Sequence, residues 1–457
     1  MPREAALETL RRVERGALAR ETLDGVLRRR KLEARDRDLA RELVQGILRH
    51  QETIDSLLAP RLKRPLEKAH AVDRNALRLG AYQLVFLDRI PARAAVHTSV
   101  EAVKVAGRPR ATGFVNAILR RLASSVVNSS ASEPGDAPRR ALPRGDGTWA
   151  IFDVDVLPDP AAEPLAYLAA AWSCPEWLVE RFTTEHGEEA TRGILAAAAA
   201  RPAVSLRPAA GRRAELQAAL TERKIDFEDE GPCLLVRGAG AVSALPGFDE
   251  CWFAVQDPTA AEVVPLLSPE PGEGVLDLCA APGGKTVALA DGVGTAGVVL
   301  AVDLPGPRLK LLEREVKRRG LTQVAVLGAD VVEPEHLPRG LKSHGDDGFD
   351  AVLIDVPCSN TGVLGQRVEV RRRLDGPHRI EMLAEQAHHL LLVAASRVRA
   401  GGRLVYSTCS IDRAENADVV HAFLDEDADF DLVVERLTLP IAGRRGGGYA
   451  ALLRRTV

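Results

Sequence analysis

The first third of the chain repeats apolar residues at helical spacing. Leu39, Leu43 and Ile47 recur every fourth residue, which places them on one face of an amphipathic helix. The run NALRLGAYQLVFL (75–87) is apolar nearly all round, a pattern typical of a central buried helix. We therefore predict an all-helical domain over residues 1–125.

Turn-forming residues then replace this periodicity. The stretch SSVVNSSASEPGDAPRRALPRGDGT is rich in Ser, Pro, Gly and Asp, and such a composition predicts a flexible linker over residues 126–160. The next segment mixes helical runs such as PEWLVERFTTEHG with strand-like runs such as PCLLVRG. Residues 161–255 are therefore expected to form a small α+β module.

Strand-like apolar runs alternate with helical stretches over residues 256–457. The strand-like runs are GVLDLC, VVLAVDL, QVAVLGAD, FDAVLIDVPC and GGRLVYSTCS. Strands that alternate with helices predict βαβ units and an α/β, doubly wound parallel sheet. Two later runs, DFDLVVE and GYAALLRRT, are expected to complete this sheet.

The composition is that of a multidomain globular protein. The chain has 457 residues, of which 46% are hydrophobic and 27% charged, and this length exceeds one ordinary core. The sequence contains no signal-peptide core and no apolar run of membrane-spanning length, so we expect a cytoplasmic protein. Its six cysteines have no metal-ligand spacing and predict free thiols without a metal.

Charge is distributed unevenly along the chain. Residues 1–122 contain 26 Lys and Arg against 15 Asp and Glu, whereas the whole chain has a net charge of −3. A basic module on an acidic body is typical of polyanion binding, plausibly to nucleic acid. A solvated, arginine-rich helical surface explains the same numbers, so charge alone leaves both interpretations open.

The run GVLDLCAAPGGKTVAL (274–289) predicts a strand, a glycine-rich turn and a helix. Its Gly-Lys-Thr ending resembles a P-loop, but Cys279 stands where the first P-loop glycine belongs. The Ala-Ala-Pro-Gly-Gly order also fails the dinucleotide-binding fingerprint. An unusual ATP site stays an alternative, although a tight turn lets other ligands approach the backbone equally closely.

Four successive predicted strands have an aspartate at or near their carboxyl ends, namely Asp277, Asp303, Asp330 and Asp355. Such strand ends meet at the edge of a parallel sheet where ligands bind. Asp303 is placed to accept the ribose hydroxyls of an adenosine, and Asp330 suits the adenine amino group. A helix cap or turn explains each aspartate singly, but the four together favour S-adenosylmethionine over NAD or ATP.

Two cysteines follow the fourth and fifth strands. Cys358 in DVPCSNTG and Cys409 in YSTCS should lie side by side, because consecutive strands of such sheets are usually neighbours. Singly, each is more typical of a small core residue. Beside a methyl donor, the pair indicates methylation of cytosine carbon-5, which a thiolate must first activate by adding to carbon-6. Asp355 can then hydrogen-bond the pyrimidine edge.

Three motifs, DLCAAPGGKT, DVPCSNTGVL and YSTCSIDRAEN, resemble the signatures of the NOL1/NOP2/Sun family of RNA 5-methylcytosine methyltransferases. The N-terminal runs ARDRDLARELVQGILRH and GFVNAILRRL resemble a NusB-like RNA-binding domain. Their fusion is similar to the bacterial Sun/RsmB-type 16S rRNA enzymes. The resemblance implies a NusB-like domain at 1–125, a small RNA-recognition module at 161–255 and a Rossmann-like, S-adenosylmethionine-dependent methyltransferase domain at 256–457.

The resemblance also implies roles for single residues. Cys409 would be the nucleophile and Cys358 would assist release of the methylated base, the reverse of the order in DNA cytosine methyltransferases. Asp355 would face both ligands, and Lys285 would orient substrate or cofactor unless it is a surface lysine. The implied cofactor-binding residues are Cys279, Ala280, Ala281, Pro282, Gly283, Gly284, Lys285, Asp303, Asp330 and Asp355.

The chain departs from the family after Leu364, where GQRVEVRRRL lacks the usual His and Trp. The arginines of this segment still suit RNA phosphate; they are Arg367, Arg371, Arg372 and Arg373. The glycine-rich run GRRGGG (443–448) predicts a mobile loop near the substrate.

The expected partner is RNA, specifically 16S rRNA, with neither DNA nor a membrane, and the chain is expected to be a monomer. A tRNA or 23S rRNA target is the alternative within the same chemistry. A NusB-like assembly factor without catalytic activity is the alternative of a different class.

Overall fold

The computed structural model describes residues 1–132, 135–238, 240–333, 335, 337–338 and 347–456. The chain divides into two compact units: the first contains Met1–Arg201 and Leu364–Arg373, and the second contains Pro202–Val363 and Leu374–Val457. The boundary after Arg201 falls inside the segment 161–255, which the sequence predicts as one module.

Helices make up most of the first unit, as the periodicity of residues 1–125 predicts. They are α1 (Pro2–Val13), α2 (Ala19–Arg29), α3 (Ala34–Arg49), α4 (Gln51–Leu58), α5 (Ala71–Phe86), α6 (Ala92–Val105), α7 (Thr112–Ser125), α8 (Pro164–Trp172) and α9 (Glu176–Ala199). Helix α5 buries Leu77, Leu79 and Tyr82, which point in different directions around its axis. It is therefore the central buried helix that the run 75–87 predicts.

A small antiparallel sheet lies in the segment predicted to be a linker. Its strands β1 (Val126–Ser130), β2 (Ala141–Pro143) and β3 (Trp149–Phe152) are paired in the order β1–β3–β2. Leu142 and Phe152 are buried. The prediction of a flexible linker is wrong for these strands, because ladder hydrogen bonds and apolar burial order a backbone whose composition is typical of a loop.

The segment Leu364–Arg373 belongs to the first unit, although the residues on both sides of it belong to the second. The Arg371 guanidinium is buried and donates to the carbonyl oxygens of Arg49 (3.0 Å), Ser173 (2.6 Å) and Ala198 (2.9 Å). These carbonyls lie at the C-terminal ends of α3, α8 and α9, where helix dipoles favour a cation. The prediction that Arg371 binds RNA phosphate is therefore wrong, since its guanidinium is buried and both terminal nitrogens donate inside the fold.

A four-stranded antiparallel sheet opens the second unit. Its strands β4 (Val204–Pro208), β5 (Phe227–Glu230), β6 (Cys233–Val236) and β7 (Phe253–Val255) have the order β5–β6–β4–β7. Helix α10 (Arg213–Glu222) packs Leu216 and Leu220 into the same apolar core as Leu206 and Leu234.

A seven-stranded sheet forms the rest of the second unit, with the order β10–β9–β8–β11–β12–β14–β13. Its strands are β8 (Gly274–Leu278), β9 (Val298–Asp303), β10 (Val324–Gly328), β11 (Phe349–Asp355), β12 (Val398–Thr408), β13 (Phe430–Thr438) and β14 (Gly448–Arg455). The first five in this order are parallel, whereas β14 and β13 are antiparallel to their neighbours. The two C-terminal runs thus complete the sheet as predicted.

Alternating residues of the parallel strands face two apolar layers. Leu276, Val352 and Leu404 pack with α15 (Pro377–Ala395) and α16 (Ala417–Glu426). Val275, Leu353 and Val405 pack on the other face against α12 (Val263–Leu267) and α13 (Gly284–Val293). The short helix α11 (Pro258–Ala261) precedes α12. Helix α14 (Pro307–Arg319) packs beside β9. Helices on both faces confirm the doubly wound class.

Within the described residues, no helix combines the length and the apolar character that crossing a bilayer requires.

Candidate active site

The site lies in the second unit, at the carboxyl ends of the parallel strands. The turn after β8 begins at Cys279, which has a left-handed backbone with a φ of 59°. The Ala280 N–H donates to Val302 O at 3.0 Å, which ties the turn to β9. Gly283 has a φ of 107°, and a Cβ atom there would lie 2.7 Å from Leu312 Cδ1. Only glycine therefore fits this position, from which α13 starts.

Asp277 is completely buried beneath this turn. Its Oδ2 accepts a hydrogen bond of 2.6 Å from Thr286 Oγ1, and burial raises its pKa to about 7. The nearby charges of Asp355 and Asp303 act in the same direction, whereas the Thr286 hydrogen bond and Lys285 oppose the rise in pKa. Asp277 Oδ1 has no hydrogen-bond partner among the residues that the structure describes.

Asp303 ends β9 and supports the turn directly, since its Oδ2 accepts from the Ala281 N–H at 2.8 Å. The Arg308 side chain donates to the carbonyl oxygen of the same Ala281. Asp330 follows β10, and its Oδ1 accepts from the Val332 N–H at 3.0 Å. This contact forms a turn, which is the alternative explanation for an aspartate at this position. The carboxylate can still accept hydrogen bonds from further donors.

Lys285 and Asp355 form an ion pair at the start of α13 and the end of β11. The Lys285 Nζ lies 2.7 Å from Asp355 Oδ2, and only 12% of the lysine side chain is exposed. Asp355 Oδ1 accepts a second hydrogen bond of 2.8 Å from Ser407 Oγ. The alternative that Lys285 is a surface lysine is therefore wrong.

The two cysteines are brought together as the strand order predicts. Strands β11 and β12 are parallel neighbours, and the Cys358 and Cys409 Sγ atoms lie 3.3 Å apart. Cys358 is buried, and Cys409 is partly exposed. The hydrogen bond to Cys409 and burial raise the pKa of the Cys358 thiol well above its usual value. The Cys409 thiol also donates to Asn360 Oδ1 at 3.2 Å.

Two glycines bring the backbones of the cysteine-bearing loops together. The Gly362 N–H donates to Cys409 O at 3.0 Å, and the Gly447 N–H donates to Gly362 O at 2.7 Å. The run 443–448 is further held by Gly446, whose N–H donates to Asp257 Oδ2 at 2.8 Å. The prediction of a mobile loop is wrong for Gly446, Gly447 and Gly448, because these three residues are buried and the first two donate the hydrogen bonds just described.

The arrangement fits a cationic adenosine ligand. The carboxylates of Asp277, Asp303 and Asp355 lie close to Cys279 of the turn, and the buried Asp277 Oδ1 has no hydrogen-bond partner among the described residues. No described group of His, Cys, Asp and Glu side chains has the arrangement of a metal site. Ser359, Asn360 and Glu415 were not identified as functional residues from the sequence. The one feature that could have identified them is that they lie within the two motifs that contain the cysteines.

Comparison with known proteins agrees with this architecture. The model of the 16S rRNA methyltransferase RsmB/F family matches residues 264–449, and that of the NusB family matches residues 1–124. The probable ribosomal RNA small subunit methyltransferase B of Synechocystis sp. is 33% identical over 89% of this chain and 85% of its own length. Its counterpart in Bacillus subtilis is 32% identical over 95% and 91%, respectively.

Among solved structures, that of the protein PH0851 superposes with a TM-score of 0.77 and 24% identity, and the match covers 100% of this chain and 99% of that one. This likeness supports the fold. The sequence matches cover most of the chain and include the turn, Lys285, Asp355 and both cysteines. The chain therefore belongs to the RsmB/Sun family of S-adenosylmethionine-dependent rRNA methyltransferases.

Proposed function

We propose that this protein methylates carbon-5 of a cytosine in 16S rRNA through a covalent adduct between Cys409 and carbon-6. The observation that carries the proposal is the contact of two thiols, 3.3 Å apart, beside the Lys285–Asp355 ion pair. Methylation of an exocyclic amino group requires no cysteine nucleophile and leaves this thiol pair without a role.

When bound, S-adenosylmethionine supplies an electrophilic methyl group. The turn Cys279–Lys285 is the proposed binding site for the methionine part of this cofactor. The Asp303 carboxylate accepts hydrogen bonds from the ribose hydroxyls, and the Asp330 carboxylate accepts one from the adenine amino group. The carboxylates that surround the turn also favour a ligand that carries positive charge.

Cys409 is the proposed nucleophile, because it is the more exposed of the two thiols and the surroundings of Cys358 favour its protonated form. Cys358 is buried and its pKa is raised, so it retains its proton. Its S–H can then donate to the Cys409 sulfur, which stabilises the thiolate of the more exposed partner. Ionisation of Cys409 ends its own donation to Asn360 Oδ1.

Addition of the Cys409 thiolate to carbon-6 makes carbon-5 nucleophilic, and Asp355 stabilises the adduct by accepting from the cytosine amino group. After methylation, a base takes the proton from carbon-5, and the electrons of that bond expel Cys409 as a thiolate. The Cys358 S–H assists this release by donating to the departing sulfur, which lies within contact distance.

The proposed target is 16S rRNA, since the matching family model and the matching relatives carry small-subunit rRNA in their names. The helical first unit is the proposed RNA-binding part. Its excess of basic over acidic residues among residues 1–122 supports this assignment.

The test is transfer of labelled methyl groups from S-adenosylmethionine to unmodified RNA, with 16S rRNA, 23S rRNA and tRNA compared in parallel. We expect label at cytosine carbon-5 of 16S rRNA alone. Label on another RNA would replace the target, label on another atom would overturn the chemistry, and no transfer to any RNA would overturn the proposed activity.

A further inference from the structure

A carboxylate that the proposed reaction does not use lies beside the cysteine-bearing loops. Glu415 ends a short 3-10 turn after β12, and its side chain is completely buried. Its Oε1 accepts from the Ser359 backbone N–H at 2.7 Å, and its Oε2 accepts from the Ser359 hydroxyl at 2.5 Å. The carboxylate thus binds both donors of the residue that follows Cys358.

The residue that follows Cys409 joins the same cluster. The Ser410 Oγ lies 3.2 Å from Ser359 Oγ and 2.9 Å from Thr361 Oγ1. Each cysteine is therefore followed by a serine, and the two serine hydroxyls meet beside one carboxylate. We call these three side chains, Ser359, Ser410 and Glu415, the serine–glutamate cluster.

The backbone of Glu415 is held in place independently. The Tyr406 hydroxyl, which is buried on β12, donates to the Glu415 carbonyl oxygen at 2.5 Å. The neighbouring Asn416 donates to Ser410 O at 3.0 Å and accepts from Thr408 Oγ1 at 2.6 Å. The cluster is consequently attached to β12, the strand that ends directly before Cys409.

A buried carboxylate is costly unless donors compensate it. Burial raises the pKa of Glu415, and the groups among the described residues that oppose the rise are the hydrogen-bond donors of Ser359 and Ser410 rather than a cationic side chain. Its donors come from Ser359 and Ser410, which both adjoin a cysteine. An apolar side chain at this position would stabilise the core without that desolvation cost. The presence of a carboxylate therefore indicates that its hydrogen bonds are needed to fix the geometry of the two loops.

We infer that Glu415 is a positioning residue that holds the loops after Cys358 and Cys409 in register, so that the two thiols remain in contact. This role rests on the proposed function, because two thiols need a fixed separation only if one assists the other. Glu415 itself does not touch the reacting atoms.

Thiol bridging by dibromobimane tests this inference without any methyl transfer. The bridged peptide pair that contains Cys358 and Cys409 is quantified by mass spectrometry in wild type, Glu415→Ala, Glu415→Gln and the control Glu381→Ala, which changes an exposed glutamate on α15. Labelling with monobromobimane reports the access of each thiol separately. Cys358→Ser provides the background signal.

We expect Glu415→Ala to lower bridging about 10-fold or more, with single labelling and S-adenosylmethionine affinity unchanged. Glu415→Gln keeps one acceptor for the Ser359 N–H and should give an intermediate loss. If Glu415→Ala does not fold, Glu415→Gln and Ser410→Ala decide the matter through the same bridging yield. Wild-type bridging in every folded variant would overturn the inference.

Enzyme kinetics supply a second readout. Displacement of a catalytic group by about 1 Å lowers the reaction rate on the order of 100-fold. Glu415→Gln should therefore lower kcat and leave the KM values for RNA and for the cofactor unchanged. A rise in KM without a fall in kcat would contradict positioning. If wild type shows no methyl transfer while bridging still depends on Glu415, the proposed function fails and the geometric role stands.

Discussion

The Sγ atoms of Cys358 and Cys409 lie 3.3 Å apart, at the tips of two parallel neighbouring strands. Cys358 is buried and its pKa is raised, whereas Cys409 is partly exposed. The contact therefore predicts different consequences for the loss of each sulfur.

Cys409→Ala should lower methyl transfer by at least about 10,000-fold, because the proposed nucleophile is absent. The variant should also form no covalent complex with RNA that contains 5-fluorocytosine. Cys358→Ala should instead form an adduct with unmodified RNA that persists, because the departing Cys409 sulfur lacks its donor. Denaturing gel electrophoresis of protein with labelled RNA distinguishes the two, and a persistent adduct in Cys409→Ala alone would reverse the assignment.

The Lys285–Asp355 ion pair of 2.7 Å predicts a non-additive double mutant. Lys285→Met and Asp355→Asn should each lower kcat about 100-fold, because each leaves its partner uncompensated beside the reacting base. The double variant should lose little more than either single one, since groups that act as a unit couple strongly.

Single-turnover rates of methyl transfer measure this cycle. The control is the exposed pair Arg237 and Glu228, 3.3 Å apart in the same unit, whose removal should leave the rates unchanged. Purely additive losses for Lys285 and Asp355 would show that the two side chains act separately.

Asp277 predicts a pH dependence of stability. Burial raises its pKa to about 7 from a usual value near 4, so the folded protein binds this proton more tightly than the unfolded chain does. The contribution of the group to stability is therefore present below about pH 4, declines as pH rises toward 7, and is constant above that range.

Asp277→Asn removes this titration and keeps an acceptor for Thr286. Relative to wild type, the variant should gain a few kcal/mol in free energy of unfolding between about pH 5 and pH 8. Chemical denaturation of both proteins at the two pH values, without cofactor, measures the difference. An identical pH dependence in both proteins would mean that Asp277 does not titrate in this range.

Gly362→Ala should inactivate the enzyme by displacing the cysteine loops. A Cβ atom at Gly362 would lie 2.5 Å from the Gly447 carbonyl group and 2.9 Å from Cys409 O, both of which are backbone. We expect a lower melting temperature and a loss of methyl transfer. Gly193→Ala in α9 is the matched control, because a Cβ atom there meets nothing within 4 Å and alanine favours a helix by about 0.5–1 kcal/mol. Retained activity in Gly362→Ala would show that the loops separate without consequence.

Local periodicity was sufficient to predict most elements. The strands of the seven-stranded sheet and the buried helix α5 are patterns of neighbouring residues, which any chain with that spacing reproduces. The approach of Cys358 to Cys409 was also predictable, because consecutive strands of a doubly wound sheet are usually neighbours and their carboxyl ends meet at one edge.

Contacts between residues far apart in sequence were not predictable from one chain. Ser, Pro and Gly in 126–160 indicate a loop, yet pairing with Trp149–Phe152 orders β1 as a strand. Arg371 lies in an arginine-rich segment of the kind that binds RNA phosphate. Its guanidinium instead donates to carbonyl oxygens at the ends of three helices inside the first unit. Composition describes what a side chain can bind, and only the surrounding fold determines whether it is exposed.

The sequence by itself determined which groups meet at the sheet edge, since placing two cysteines and an aspartate at strand ends, beside a glycine turn, required only local patterns and one topological rule. The tertiary structure decided how these groups are held: Lys285 pairs with Asp355, glycine backbones close the cysteine loops, and Glu415 joins two serines that are 51 residues apart. The physical reason is that hydrogen-bond partners and burial are properties of the packed chain, whereas strand order follows from the hydrophobic pattern along it.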